Sequence, residues 1–229
     1  MGVIHCDLKP ENILFTDEKK NNVKVIDFGS SCFSCKTGFS YVQSRYYRAP
    51  EIVLGLPYTQ AADMWSFGCI IAELKTGRPL FPAIDENELL EFFMMMVGLP
   101  SADMIERARK KNKFFEKNGR IIRSKHSRLY TSSKRSYPLK RAIEHDPKED
   151  ADYIDLLEKC LEIDPDKRIT PDEALQHPWL IKISAIRDIL YDKPSNNHIS
   201  SNNKLTIDYN KDNEVDALMG RSPSRKGHN

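Results

Sequence analysis

No apolar run in this 229-residue sequence approaches the roughly 20 residues a membrane-spanning helix needs, and its opening residues do not make a secretory leader. No membrane partner is expected, and an intracellular setting, cytoplasmic or nuclear, follows as the expectation. Net charge is also scarce. The 35 Lys and Arg against 33 Asp and Glu leave +2, so any pull toward nucleic acid or a charged surface must be local. Cysteine is sparse: Cys6, Cys32, Cys35, Cys69 and Cys160 are odd in number and irregular in spacing, which argues against a secreted disulfide framework. Cys32-x-x-Cys35 lacks a second pair or histidine partners, so reduced thiols are expected rather than a metal site. The sequence also contains no G-x-G-x-x-G loop and no lysine in a Val-Ala-Ile-Lys setting, two common devices for gripping phosphates.

What is present is an ordinary globular composition, 40% hydrophobic and 30% charged, long enough for one substantial core. Near its start stands His5-Cys6-Asp7-Leu8-Lys9-Pro10-Glu11-Asn12, which sets an acid, a cation and an amide within six positions. Such a set suits presenting an alcohol to a phosphate. Ile13-Leu14-Phe15 and Val23-Lys24-Val25-Ile26 read as strands around a polar turn, a hairpin that would return Asp27 to Asn12. An amide and a carboxylate oxygen suit Mg2+, which keeps waters and takes its other ligands from phosphates.

Asp27-Phe28-Gly29 and Ala49-Pro50-Glu51 follow the first motif in order and at short spacing. Together the three resemble the signatures of protein kinases. Cys6 in place of arginine, Asp27-Phe28-Gly29-Ser30-Ser31-Cys32, and Tyr41-Val42-Gln43-Ser44-Arg45-Tyr46-Tyr47-Arg48 narrow the resemblance to the dual-specificity tyrosine-regulated (DYRK) group of the CMGC class. It runs from Val3 to about Leu180.

The resemblance implies a mainly α fold: the large (C-terminal) lobe of a kinase over 1–183, with a short β-hairpin and a CMGC-type insert at about 84–145. A mostly disordered tail would occupy 184–229, and the small lobe would be absent. It implies ATP and Mg2+ as cofactors and proteins as substrates. Asp7 would accept the hydroxyl proton, Lys9 would neutralise charge on the moving phosphoryl group and mark serine/threonine specificity, and Asn12 and Asp27 would hold the metal. Tyr41 aligns with the tyrosine such enzymes phosphorylate on themselves. A phosphate there adds about two negative charges, with Arg45 and Arg48 placed to receive it. Asp63 would anchor the catalytic loop, and Glu51 with Arg168 would form a structural clasp. Glu11 either meets a basic substrate residue or is simply a solvated acid. Cys6 and Cys32 sit on loops that should converge beside Asp7, where a redox switch is a minority reading.

Further along, Pro50 to Leu54 predicts a short helix stopped by Gly55, and Ala61 to Thr76 a helix buried all round and stopped by Gly77. Glu88 to Val97 predicts a third, its Met94-Met95-Met96 run read as core. Tyr153 to Leu161 shows an amphipathic period. Thr170-Pro171-Asp172-Glu173 is a capping box expected to open the last helix of the lobe. Arg107 to Arg141 is rich in cations with Phe114, Phe115, Tyr130 and Tyr137 interleaved. With no recognised nucleic-acid module beside it, a surface for docking protein partners is the preferred reading. Beyond about Asp192 the polar composition predicts disorder.

The leading reading is thus an ATP-dependent serine/threonine, dual-specificity protein kinase. Lacking the phosphate-gripping parts, the chain alone is expected to bind ATP poorly and to be inactive. The competing reading is a non-catalytic interaction module. It would leave apolar surface exposed under His5 to Asn12.

Overall fold

Helix α2, Ala61–Thr76, packs against the Arg45–Tyr47 turn and against a helix further along the chain, Ala151–Cys160. The computed structural model describes residues 2–16, 22–33, 41–127, 139–143 and 151–191. Trp65 of α2 is fully buried, stacked on Phe81 at 5.8 Å and edge-on to Phe93 at 4.8 Å. Burying each ring removes enough apolar surface to contribute about 1.5–3 kcal/mol. At Gly68 the helix meets α7 (Ala151–Cys160) so closely that a Cβ would lie 2.9 Å from Cys160 Cβ. Gly77 ends α2 at φ +73°, a left-handed value that glycine reaches without strain.

α2 is not buried all round. Leu74 is 74% exposed and Lys75 is also exposed, while the same turn meets Tyr47 through Glu73. α1 spans Pro50–Leu54, with all five residues buried and Gly55 at φ 74° as its cap. α3 spans Glu86–Met96 and starts earlier than the apolar pattern suggests. The Asp85 side chain accepts from Glu88 N at 2.8 Å, and that cap sets the start. Met94 to Met96 are half-buried rather than core.

The insert carries α4 (Ala102–Arg107) and α5 (Lys111–Phe114), then a bridge from Phe115 to Ile121. Phe114 and Phe115 are buried, so these two aromatics are core and offer nothing to a nucleic acid. Tyr130 and Tyr137 lie outside the described residues. α6, Leu139–Ala142, follows. The Thr170 box forms as expected, Glu173 N meeting Thr170 Oγ1 at 3.3 Å and Thr170 N meeting Glu173 Oε2 at 2.8 Å. It opens only the short α8, Pro171–Leu175. The described residues from Leu175 on form a separate unit. In it α9 spans Pro178–Tyr191, past the expected start of the tail, and the rest of the tail lies outside the described residues. Among the described residues no helix is long and apolar enough to cross a membrane.

Two small antiparallel sheets frame the first motif. β1 (Val3–Ile4) pairs with β4 (Cys32–Phe33), a pairing the sequence pattern did not suggest. β2 (Ile13–Phe15) pairs with β3 (Val23–Val25) in the register Ile13↔Val25, as the hairpin reading requires. Within the loop His5, Cys6 and Asn12 are buried, Asp7 to Pro10 are half-buried and Glu11 is exposed. Beside it, the hairpin and its flanks expose apolar side chains at Leu14, Phe15, Val23, Val25, Phe28 and Phe33.

Candidate active site

Asp63, near the start of α2, seats the loop that carries Asp7. Its two oxygens accept the backbone N–H of His5 at 2.6 Å and of Cys6 at 3.0 Å. Burial pushes the Asp63 carboxyl above its usual value, and the two N–H donors act against that push. His5 Nδ1 accepts from Asp7 N at 3.2 Å, so its proton sits on Nε2 and points to the Ile26 carbonyl at 3.0 Å. One ring thereby bridges the loop to the strand that leads to Asp27.

Three non-glycine residues here have left-handed backbone: Cys6 (φ 63°), Asp27 (φ 61°) and Gln43 (φ 67°). Each such residue costs of order 1–3 kcal/mol, and the contacts at hand hold it in place. Cys6 is fixed by Asp63, and its carbonyl accepts from Gln43 N at 2.9 Å. Gln43, buried, donates to Ala62 O and Ser66 Oγ, both at 2.9 Å, and accepts from Ala49 N at 2.8 Å. Asp27 accepts from Gly29 N at 3.2 Å through its own side chain. The strain therefore gathers where the loop, the Asp27 turn and the segment after Tyr41 meet.

At the centre, Asp7 Oδ2 accepts from Lys9 Nζ at 2.8 Å and from Asn12 Nδ2 at 3.3 Å. Its Oδ1 accepts from Ser44 N at 3.1 Å and Ser44 Oγ at 2.7 Å. Lys9 also reaches Ser44 Oγ at 3.2 Å, and Asn12 Nδ2 donates to the Asp7 carbonyl at 2.9 Å. Burial pushes the Asp7 carboxyl up, but Lys9 and Ser44 outweigh it and hold Asp7 below the usual carboxylate range. Lys9 is raised in return, first by its bond to Asp7 and then by the charges of Asp7, Glu11 and Asp27. The two partners agree in direction. Ser44 is the residue that sequence reasoning missed, because a lone serine 37 positions from Asp7 carries no local signal.

Asn12 and Asp27 are joined through the backbone, since Ile26 N donates to Asn12 O at 2.9 Å and extends the hairpin ladder. Asn12 is buried and turns its nitrogen to Asp7, which leaves its side-chain oxygen as the atom that can face a cation. Asp27 is exposed. No cluster of three His, Cys, Asp or Glu suited to a metal occurs among the described residues. This donor set of one amide and one carboxylate oxygen fits Mg2+, which takes few protein ligands, and does not fit zinc.

Tyr41 is 63% exposed, with its ring 4.0 Å from the Arg48 guanidinium carbon. Hydrogen bonding and charge from Arg48, with a lesser share from Arg45, draw its phenol below the usual value. Arg45 donates to the Ile84 carbonyl, and its buried Nε meets no acceptor among the described residues. Glu51 and Arg168, both fully buried, form a bidentate pair at 2.8 and 2.9 Å. Cys6 Sγ lies 3.8 Å from Cys32 Sγ, while Cys35 is outside the described residues.

This geometry sits within a broader likeness. The sequence profile of the protein kinase domain matches residues 1–180. The chain belongs to the protein kinase family. Several of its relatives are named dual-specificity tyrosine-phosphorylation-regulated kinases, and this likeness, at 40–48% identity, supports the DYRK group of CMGC kinases. It is 45% identical over 181 residues to human dual specificity tyrosine-phosphorylation-regulated kinase 4, covering 78% of this chain and 34% of the relative. To the Drosophila melanogaster dual specificity tyrosine-phosphorylation-regulated kinase 2 it is 48% identical over 182 residues, covering 78% of this chain and 24% of the relative. The Schizosaccharomyces pombe serine/threonine-protein kinase ppk5 is 45% identical over 182 residues, covering 79% of this chain and 21% of the relative. The chain thus spans about a third or less of the length of these curated relatives.

Proposed function

We propose that this chain is the large-lobe portion of an intracellular serine/threonine, dual-specificity protein kinase, which moves the γ-phosphate of ATP to protein hydroxyls. The observation that carries the reading is the enclosure of Asp7 by Lys9, Asn12 and Ser44 at 2.7–3.3 Å. An acid so fully bonded and so weakly basic does not pull a proton early. Asp7 orients the incoming hydroxyl, displacing the 3.3 Å contact from Asn12, and takes its proton late, as suits a loose phosphoryl-transfer transition state. Lys9, held by Asp7 and Ser44, stays charged and faces the moving phosphoryl oxygens. Asn12 and Asp27 hold Mg2+, which when bound draws off charge from the phosphate oxygens.

Tyr41 is the residue modified within the same protein. Its exposure, the Arg48 guanidinium against its ring and the unanswered Arg45 Nε support a phosphate there. The kinase portion extends over 1–183, with the basic insert docking protein partners. The reading is tested with the protein expressed from its complete reading frame. Transfer of labelled γ-phosphate to serine or threonine of a basic protein should require Mg2+ and be lost in Asp27→Asn. Transfer unaffected by either would overturn it.

A further inference from the structure

Glu86, the first residue of α3, is 7% exposed and faces two different parts of the fold. Its Oε1 accepts from Arg48 Nη1 at 2.9 Å and lies 3.7 Å from Lys110 Nζ; its Oε2 accepts from Lys113 Nζ. Arg48 belongs to the segment after Tyr41, whereas Lys110 and Lys113 belong to the cation-rich stretch from Arg107 to Arg141. A single buried carboxylate therefore joins the two.

Arg48 is 2% exposed. Its Nε donates to the carbonyls of Val42 at 3.0 Å and Gln43 at 3.2 Å, and its Nη2 to Gln43 O at 2.7 Å. Those acceptors lie within the same segment and move with it. Among the described residues, Glu86 is the hydrogen-bond acceptor for Arg48 that lies outside that segment. Where the guanidinium sits relative to the core, and so what Tyr41 stacks upon, is set by this carboxylate. The other end is equally built. Asn87, next on α3, donates to the carbonyls of Ile122 at 2.7 Å and Lys113 at 3.3 Å, and Glu91 accepts from Ser124 N at 2.7 Å. The first turns of α3 thus grip the cation-rich stretch 107–141 along one side while holding Arg48 at the tip.

We infer that Glu86 is a positioning residue: it seats Arg48 beneath Tyr41 and ties that seat to the cation-rich stretch through Lys110 and Lys113. A partner that draws these lysines away alters the hold on Arg48 and so the setting of Tyr41. The regulatory meaning rests on Tyr41 being the modified residue, but the linkage itself does not.

Two measurements on the 229-residue chain test it, neither of which needs phosphoryl transfer. A failure here is therefore distinct from a failure of the kinase reading. The first is the titration of the Tyr41 phenol, followed by NMR on ring-labelled tyrosine and assigned with Tyr41→Phe. The charged groups facing that phenol are Arg48 and Arg45. In Glu86→Gln the two possible roles move the phenol in opposite directions. Loss of positioning lets Arg48 drift and raises the Tyr41 pKa toward the ordinary tyrosine value, about 10. Loss of a nearby negative charge alone lowers it further, and that result overturns the inference.

The second measurement is amide hydrogen exchange over 43–49, where Gln43, Tyr47, Arg48 and Ala49 N–H groups are bonded. Lys110→Met/Lys113→Met leaves the Arg48–Glu86 pair in place, and Lys113 is half-exposed, so this variant folds even if Glu86→Gln does not. Exchange there should quicken several-fold while α2 and α7 keep their rates. Unchanged rates at 43–49 would overturn the link to the cation-rich stretch.

Discussion

Glu51 and Arg168 give the sharpest test of what holds this fold together. Both are fully buried, 117 positions apart, and bonded through two N–H···O contacts. Arg168 also donates to the carbonyls of Ala61 at 2.7 Å, Glu162 at 2.8 Å and Ile163 at 3.3 Å, and lies 5.2 Å over the Trp65 ring. Removing one partner of such a pair leaves the other's charge uncompensated in the interior, which costs about 3–5 kcal/mol. Glu51→Gln keeps the side-chain shape and should fall at the lower end. Arg168→Met strands Glu51 and three carbonyls, and should fall at the upper end. With a urea slope of about 1–3 kcal/mol per molar for a domain of this size, the unfolding midpoint should fall by about 2 M. The double variant should lose less than the sum of the singles, because neither charge then lacks its partner. Trp65, buried against Arg168, supplies a fluorescence signal at the site. A Glu51→Gln midpoint indistinguishable from wild type would refute the claim that this pair clasps the lobe.

Other expectations follow from the same coordinates. Gly68→Ala gains about 1 kcal/mol of helix propensity but drives a Cβ to 2.9 Å from Cys160 Cβ and Leu161 Cδ2, a clash of about 1–3 kcal/mol. Chemical denaturation should show a net loss of stability, and a gain would mean α2 and α7 can part freely. Burial pushes the Cys160 thiol up to about 12, so at pH 8 roughly one molecule in ten thousand carries the thiolate. Cys6 and Cys69 are likewise raised by burial, so native protein labelled with iodoacetamide at pH 8 should carry none of these three adducts. Rapid labelling of Cys6 would show that its loop opens. Ser44→Ala removes the 2.7 Å bond to Asp7 and the 3.2 Å bond from Lys9. It should lower kcat by about tenfold while leaving the affinity for Mg2+-ATP unchanged, and an equal loss in both would contradict a role confined to Asp7 and Lys9.

Local signals carried the elements whose causes are local. Pro50 and Gly55 bracket α1, Gly77 closes α2, and the Thr170–Glu173 box forms because all its partners lie within four residues. The hairpin was legible for the same reason, its register fixed by neighbouring strands. What stayed hidden depends on distant partners. Leu74 looked like core from its place on an apolar helix, yet it is exposed while Glu73, beside it, bonds Tyr47. Phe114 and Phe115 looked like a basic binding surface because the cations around them are conspicuous in sequence, whereas their burial depends on the fold of the insert. At the site, Asp7, Lys9 and Asn12 announce themselves within one short motif. Ser44, Gln43 and Glu86 do not, since each acts through a contact made across 23 or more positions.

The central claim is that Asp7 serves the chemistry of transfer while Asn12 and Asp27 serve the binding of magnesium and nucleotide. The direct measurement compares wild type with Asp7→Asn in the protein expressed from its complete reading frame, following both Mg2+-ATP affinity and the rate of phosphate transfer to a protein hydroxyl. Affinity should hold while transfer falls by about 10²–10⁴. Transfer at the wild-type rate in Asp7→Asn would contradict the account.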